Sequence, residues 1–257
     1  MSNIATSRRD TALFRLTLTE AKLYLREPSA AFFTLVLPLA LLLILGSVIP
    51  GFRTPDPALG GQRVVDTQLP AMMVLLSIAT TAFTLIPAVL AQYRERGVLR
   101  RMSVTPASPR TLLLTQLLVN LVTSVVSTSL TIVGARLVLQ ARIPMLLLWF
   151  VPAFVLGVCA LFAIGLVIAA VIPNSRAAGG IGSLVMFPML FTAGMWLPRE
   201  MMPQVLRRIS DFTPTGAFGQ ALRDTWAGTP PQALHLAVMA GWAVVAGLFA
   251  ARMFRWE

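Results

Sequence analysis

The sequence predicts an all-α integral membrane protein with six transmembrane helices, and three observations lead there. The 257-residue chain is 56% hydrophobic and only 12% charged, about half the ~25% charged fraction of a soluble domain. Uncharged apolar stretches recur from residue 30 to residue 251, and stretches longer than about 18 residues read as membrane spans. Between them no segment is long enough for a separate folded domain, so residues 1–257 read as one transmembrane domain.

The first span is expected over 30–49, stopped by Pro50 and Gly51. The second covers 69–91. The third, 111–135, is uncharged up to Arg136, whose long side chain can reach the headgroups. The fourth lies within 143–172, long enough to tilt or to bend at Pro152. The fifth is 177–197 and the sixth 233–251. In lipid, backbone groups must pair within the segment, which makes each of these a helix.

Orientation follows from the basic residues. With both termini cytoplasmic, the inner side holds Arg8, Arg9, Arg15, Lys22 and Arg26 in the N-terminal tail. It also holds Arg94, Arg96, Arg100, Arg101 and Arg110 after span two, then Arg176, Arg252 and Arg255. These outnumber the basic residues left on the other side, which favours cytoplasmic termini. Residues 1–27 have no apolar core and do not read as a secretory signal peptide.

Two further segments have helical periodicity. In the outer loop between spans five and six, Met201, Met202, Val205, Leu206 and Ile209 form one stripe; Phe218, Ala221, Leu222, Thr225 and Trp226 form another after Pro214. Two short amphipathic helices at the outer interface are expected. Leu13, Leu16, Glu20 and Leu23 place an interfacial helix before Pro28 at the N-terminus.

Several function classes are excluded by what is missing. The net charge of +11 sits at span ends, where it meets anionic lipid rather than nucleic acid. A phosphate-binding loop needs a glycine-framed lysine, and Lys22, the only lysine, has no glycine near it. The chain therefore carries no ATPase motif and no catalytic residue is assigned. All ten acids fall outside the spans, which disfavours proton- or ion-coupled transport. One histidine, His235, and one cysteine, Cys159, supply no metal site. No cofactor is expected in this chain.

The segment after span two carries the richest signal. Val98, Leu99 and Met102 share one helical face and Arg96 and Arg100 another, with Pro106 and Pro109 closing the segment. A short charged helix here is either a lever for a cytoplasmic partner or a positive-inside anchor, and composition does not separate the two. Arg94-Glu95-Arg96-Gly97, followed by Leu99-Arg100-Arg101 and Thr105-Pro106, resembles the coupling segment of permease subunits of type-2 ATP-binding-cassette exporters, in particular the antibiotic and multidrug branch. Phe191-Thr192-Ala193-Gly194, Leu197-Pro198 and Pro214 extend the resemblance. Val98 departs from it, standing where many relatives have a small hydroxyl residue.

The resemblance implies a permease in the bacterial plasma (inner) membrane that pairs with a second permease subunit, identical or paralogous. Separate cytoplasmic ATPase subunits bind ATP and Mg. It implies export of an amphipathic drug-like or lipid-like substrate. Arg94, Glu95, Arg96, Gly97, Leu99, Arg100 and Arg101 are the implied contacts with the ATPase, Glu95 through a charge-assisted bond. Gly97 is expected to allow close approach or an unusual backbone angle. A lipid-linked glycan exporter and a non-transporting scaffold or sensor subunit are the alternatives; neighbouring genes and co-purification with an ATPase discriminate them.

Within the spans, Asn120, Thr123, Ser124, Ser127, Thr128 and Thr131 recur at helical spacing in span three. They are either a polar wall of a transport path or helix-packing residues, and packing is the commoner use of small hydroxyls in lipid. Asn120 and Ser127, with the apolar Phe191 and Met195 near the exit, are the candidate path residues. Gly179, Gly180, Gly182, Pro188 and Gly194 break up span five and allow it to bend.

Overall fold

The computed structural model describes residues 20, 22, 24, 26–98, 109–172, 174–197 and 199–253. Nearly all of them are helical. The long helices are α1 (Pro28–Val48), α2 (Gln68–Glu95), α3 (Pro109–Leu139), α4 (Leu147–Val171), α5 (Ser175–Thr192) and α8 (Ala233–Met253). Two shorter helices, α6 (Gln204–Phe212) and α7 (Pro214–Ala227), lie between α5 and α8. The sole sheet among the described residues is a two-stranded hairpin, β1 (Pro55–Asp56) antiparallel to β2 (Gln62–Arg63).

Five helices, α1, α2, α3, α4 and α8, are long and apolar enough to cross a membrane. Helix α5, the expected fifth span, is less apolar because Arg176, Ser183 and its glycines dilute the hydrophobic run. It also stops at Thr192 rather than 197, because Gly194 takes a left-handed φ of 87° that ends the helix.

Helix α2 is the hub, packed against α1, α3, α4, α5 and α7, and is the most buried of the long helices. Its middle is a π-helical turn, Thr81–Leu85, placed before Pro87. Proline has no N–H, so the carbonyl four residues earlier, on Phe83, loses its usual helical donor. That carbonyl faces Gly182 of α5, and the neighbouring Ala82 carbonyl faces Gly165 of α4. A Cβ at either glycine would overlap the oxygen. The widened turn is thus where three backbones meet most closely.

Helix α1 repeats the device. Its π-helical turn, Phe32–Val36, precedes Pro38, and the orphaned carbonyl of Thr34 is met by hydroxyls. Ser77 Oγ of α2 and Ser127 Oγ of α3 each lie 2.7 Å from it and 2.8 Å from each other. In an apolar core that three-way bond supplies the donor the proline removed.

Helix α7 departs from its expected place at the surface. Phe218, Ala221, Leu222, Thr225 and Trp226 are all buried, as are Gly216, Ala217 and Gly219 on the remaining faces. Helix α7 packs against α2, α4, α5 and α8. A small residue on the facing helix permits this: a Cβ at Gly157 of α4 would overlap the Phe218 ring.

Candidate functional site

The candidate coupling residues lie at the end of the bundle where α2 and α4 finish and α5 begins, here called the near end. Helix α2 stays helical through Glu95, and Gly97, with φ of 63°, turns the chain out of it. Its N–H bonds the Arg94 carbonyl at 3.0 Å. Among the described residues nothing lies within 4 Å of where a Cβ would stand at Gly97, so within them it is the backbone angle that calls for glycine. Leu99, Arg100 and Arg101 lie outside the described residues.

Arg94 and Glu95 point into their own chain. Arg94 Nη2 donates to the Ala169 carbonyl at 2.7 Å, on the last turn of α4. Glu95 Oε1 accepts the Ser175 backbone N–H at 2.9 Å, and Oε2 accepts the Ser175 hydroxyl at 2.7 Å. A cation thus meets the carbonyl end of one helix and an anion the N–H end of the next, each the sign that the helix dipole favours. Asn174 completes the start of α5: its Oδ1 accepts from Arg176 N–H at 2.9 Å and Ala177 N–H at 3.2 Å. The first three N–H groups of α5, which have no partners within the helix, are all bonded by Glu95 and Asn174.

The expected contact between Glu95 and a partner therefore has a competitor, since both its oxygens are engaged by Ser175. Arg96 and Gly97 form the turn beyond, and Arg96 is exposed.

Beside this clamp the N-terminal segment joins the bundle. Glu20, Lys22, Tyr24 and Arg26 have helical backbone. The Tyr93 hydroxyl donates to Glu20 Oε2 at 2.6 Å, and Gln116 Nε2 donates to the same oxygen at 3.1 Å. Burial raises Glu20 above its ordinary carboxylate range, and the Tyr93 hydrogen bond opposes that shift. The Tyr24 hydroxyl bonds Thr34 Oγ1. A cavity of about 190 Å³ opens between this segment, α2 and α3.

Of the candidate path residues, Asn120 borders that cavity. Met195 borders a second, apolar cavity of about 650 Å³ at the far end, between α1, α2 and the turn after α5. Ser127 is held in the three-way bond with Thr34 and Ser77 and borders neither of these cavities. Phe191 lies on the bundle surface, 38% exposed.

The far end has polar clusters of its own. Arg63 grips Asp66 with two hydrogen bonds, 2.7 and 2.9 Å, and the Arg142 N–H adds a third at 2.9 Å. Arg63 Nη2 also reaches the Gln140 carbonyl at 3.2 Å. Desolvation alone would raise the Asp66 pKa. The hydrogen bonds from Arg63 and Arg142 and their charges outweigh it and hold the carboxyl below its usual range. Asp211 of α6 is paired with Arg199 at 2.6 Å and lies 3.0 Å from Nε2 of the fully buried His235 of α8. Buried Arg223 bonds the Ala193 carbonyl at 3.3 Å.

Among the described residues no group of three or more His, Cys, Asp or Glu side chains could hold a metal ion. The acids lie at the two ends of the bundle. The described residues place a junction of three helices and one cavity at the near end, and another cavity at the far end.

The family model described as ABC-2 type transporter matches residues 11–226. Comparison with curated proteins finds no match. The matched segment covers the N-terminal segment, helices α1 to α6 and almost all of α7, including the Arg94–Glu95 junction. With five helices apolar enough to cross a membrane and a family match over most of its length, the chain is an integral, multi-pass membrane domain and belongs to the ABC-2 type transporter family.

Proposed function

We propose that this chain is the permease half of an exporter driven by separate ATP-binding-cassette ATPase subunits, which bind ATP and Mg. It works as a homodimer or with a close paralogue in the bacterial plasma membrane, with both termini and the near end cytoplasmic. It moves an amphipathic drug-like or lipid-like substrate outward, as in the antibiotic and multidrug branch. Helix α5 is the sixth span. Its 18 residues give about 27 Å at 1.5 Å per residue, close to the ~30 Å apolar core. It also runs from Glu95 at the near end to Arg223 at the far end.

The observation that carries the proposal is the Arg94–Glu95 junction. The exposed turn at Arg96 and Gly97 is the natural contact for an ATPase, and it directly follows two residues bonded to α4 and α5. A push on the turn moves the end of α2, and through Arg94 and Glu95 it moves α4 and α5 with it. Helix α2 is pinned in turn by the close backbone contacts at Gly165 and Gly182. One displacement at the near end thereby reaches the middle of the bundle.

The test is reconstitution. The chain is purified in mild detergent with whatever ATPase accompanies it, and liposomes are prepared with and without that ATPase. ATP-dependent movement of an amphipathic substrate only when the ATPase is present supports the proposal. Uphill movement by the chain alone overturns it.

A further inference from the structure

The near-end cavity has an unusual wall: its described hydrogen-bond donors are largely engaged elsewhere, while acceptor oxygens remain. Glu20, Gln116 and Asn120, 8%, 9% and 6% exposed, all border it. Gln116 Nε2 donates to Glu20 Oε2 and to the Tyr93 hydroxyl, and Asn120 Nδ2 donates to the Gln116 carbonyl at 2.8 Å. The Tyr93 hydroxyl gives its proton to Glu20. The Tyr24 hydroxyl faces Thr34 Oγ1, whose own proton goes to the Ala30 carbonyl, so Tyr24 must be the donor there. These bonds fix the amide orientations. Among the described residues, Glu20 Oε1, Gln116 Oε1 and Asn120 Oδ1 then have no hydrogen-bond partner.

A neutral amide and a tyrosine can each give and accept, whereas a carboxylate can only accept. With the donors of Tyr24, Tyr93, Gln116 and Asn120 engaged, acceptor oxygens predominate on the deep wall, although Gln92 and Arg96 also carry donors on the lining. A donor group is what the buried oxygens take. The wall is also negative at its base, where Glu20 is buried, and Glu27 adds a second carboxylate at the rim. Arg96, the one guanidinium among the described lining residues, lies at the exposed side. Leu85, Val89 and Ala30 supply an apolar flank. One carboxylate oxygen and two amide oxygens equal in number the three N–H bonds of a primary ammonium, and a bond to an ionised partner is the strong kind.

We infer that this cavity binds the ammonium group of an amphipathic organic amine, with Glu20 as counter-ion and Gln116 and Asn120 as acceptors. Two sources carry that chemistry in a membrane: a transported amphiphile, and the headgroup of an aminophospholipid. Assigning the site to a transported amphiphile rests on the exporter reading; the binding itself does not, and it is testable without any ATPase.

The probe is benzylammonium, small enough for about 190 Å³, with benzyl alcohol as its uncharged counterpart. The full-length chain is placed in nanodiscs of phosphatidylglycerol, and binding is followed by calorimetry and saturation-transfer NMR. Saturable binding of the ammonium and not of the alcohol is expected, weakened about tenfold or more in Glu20→Gln, as for loss of a hydrogen bond to a charged group. If that variant fails to fold, Glu20→Asp retains the charge but withdraws the oxygen and is expected to weaken binding as well. Equal binding of the alcohol, no binding of the ammonium, or wild-type affinity in a folded Glu20 variant overturns the inference. Adding phosphatidylethanolamine then separates the sources. Competition by it, and not by phosphatidylcholine, identifies a lipid headgroup, and no competition identifies the transported amine.

Discussion

Glu95 bonds both the backbone N–H and the hydroxyl of Ser175, so the last residue of α2 serves as a cap for α5. The two residues are 80 positions apart. Directly before Glu95, Arg94 holds the other side of the same connection through the Ala169 carbonyl of α4. The short link between α4 and α5 is thus gripped at both ends by consecutive side chains of opposite charge.

Removing that grip separates coupling from folding. Glu95→Ala frees the Ser175 N–H, and the junction transmits less of any displacement of α2. The expected order of lost ATPase stimulation is Glu95→Ala first, then Glu95→Gln, then Ser175→Ala, since the last removes one of the two bonds. Amide exchange at residues 175–177 should rise in the same order. Normal coupling in Glu95→Ala, with exchange increased, would remove the clamp from the mechanism.

The glycines facing the π-helical turn give a stability prediction. Gly165→Ala and Gly182→Ala each drive a Cβ into a backbone oxygen of α2, and backbone cannot step aside as a side-chain end can. Each should cost about 1–3 kcal/mol, the usual penalty for overpacking. Gly180→Ala meets nothing within 4 Å among the described residues and serves as the control. Thermal unfolding of the three variants in one detergent decides it; equal melting temperatures would mean that α4 and α5 can back away from α2.

The spans were legible because an uncharged run is a local property, and α1 to α4 and α8 fall within a few residues of where that run places them. The junction was legible in half. Arg94, Glu95 and Gly97 stand out in the sequence, but the target of Glu95 lies across the fold, and only the Asn174-Ser175 pair, a helix-cap signature, hinted that a capped start was there. Helix α7 was misplaced at the surface because its stripe of Phe218, Leu222 and Trp226 hid the second signal, the small residues Gly216, Ala217, Gly219 and Ala221, which let it be buried on all sides. Glu20 read as part of an interfacial helix outside the spans; its contacts with Tyr93 and Gln116 come from two other helices. The π-helical turns have no sequence signature beyond the proline that follows each.

Ser127 and Asn120 share a helix and differ in surroundings, which separates packing from path. Ser127→Ala removes one donor from the Thr34 carbonyl and leaves Ser77 to hold it. It should cost about 0.6 kcal/mol, the mean for side-chain hydrogen bonds between membrane helices, and leave substrate dependence unchanged. Asn120→Ala alters the cavity wall and should shift the concentration of amine giving half-maximal transport. The reverse pattern in a transport assay would put Ser127 on the path.

The Asp66 cluster predicts a pH dependence at the far end. Its carboxyl is held below the ordinary range by Arg63 and Arg142 in the folded chain, against about 3.9 when unfolded. A depressed folded pKa means that the unfolded chain binds the proton more readily, so the contribution is complete above the unfolded value and is lost as pH falls through the folded one. Wild type should therefore melt above Asp66→Asn by a constant margin at neutral pH, and the margin should shrink as acid protonates the folded carboxyl. Arg63→Gln should leave a smaller margin over Asp66→Asn, because the Arg142 N–H still holds Asp66 Oδ1. Melting curves in one detergent between about pH 3 and 7 are the measurement. A margin that grew on acidification would mean that Asp66 titrates above its unfolded value, and the ion pair would then not be what ties the hairpin to the link between α3 and α4.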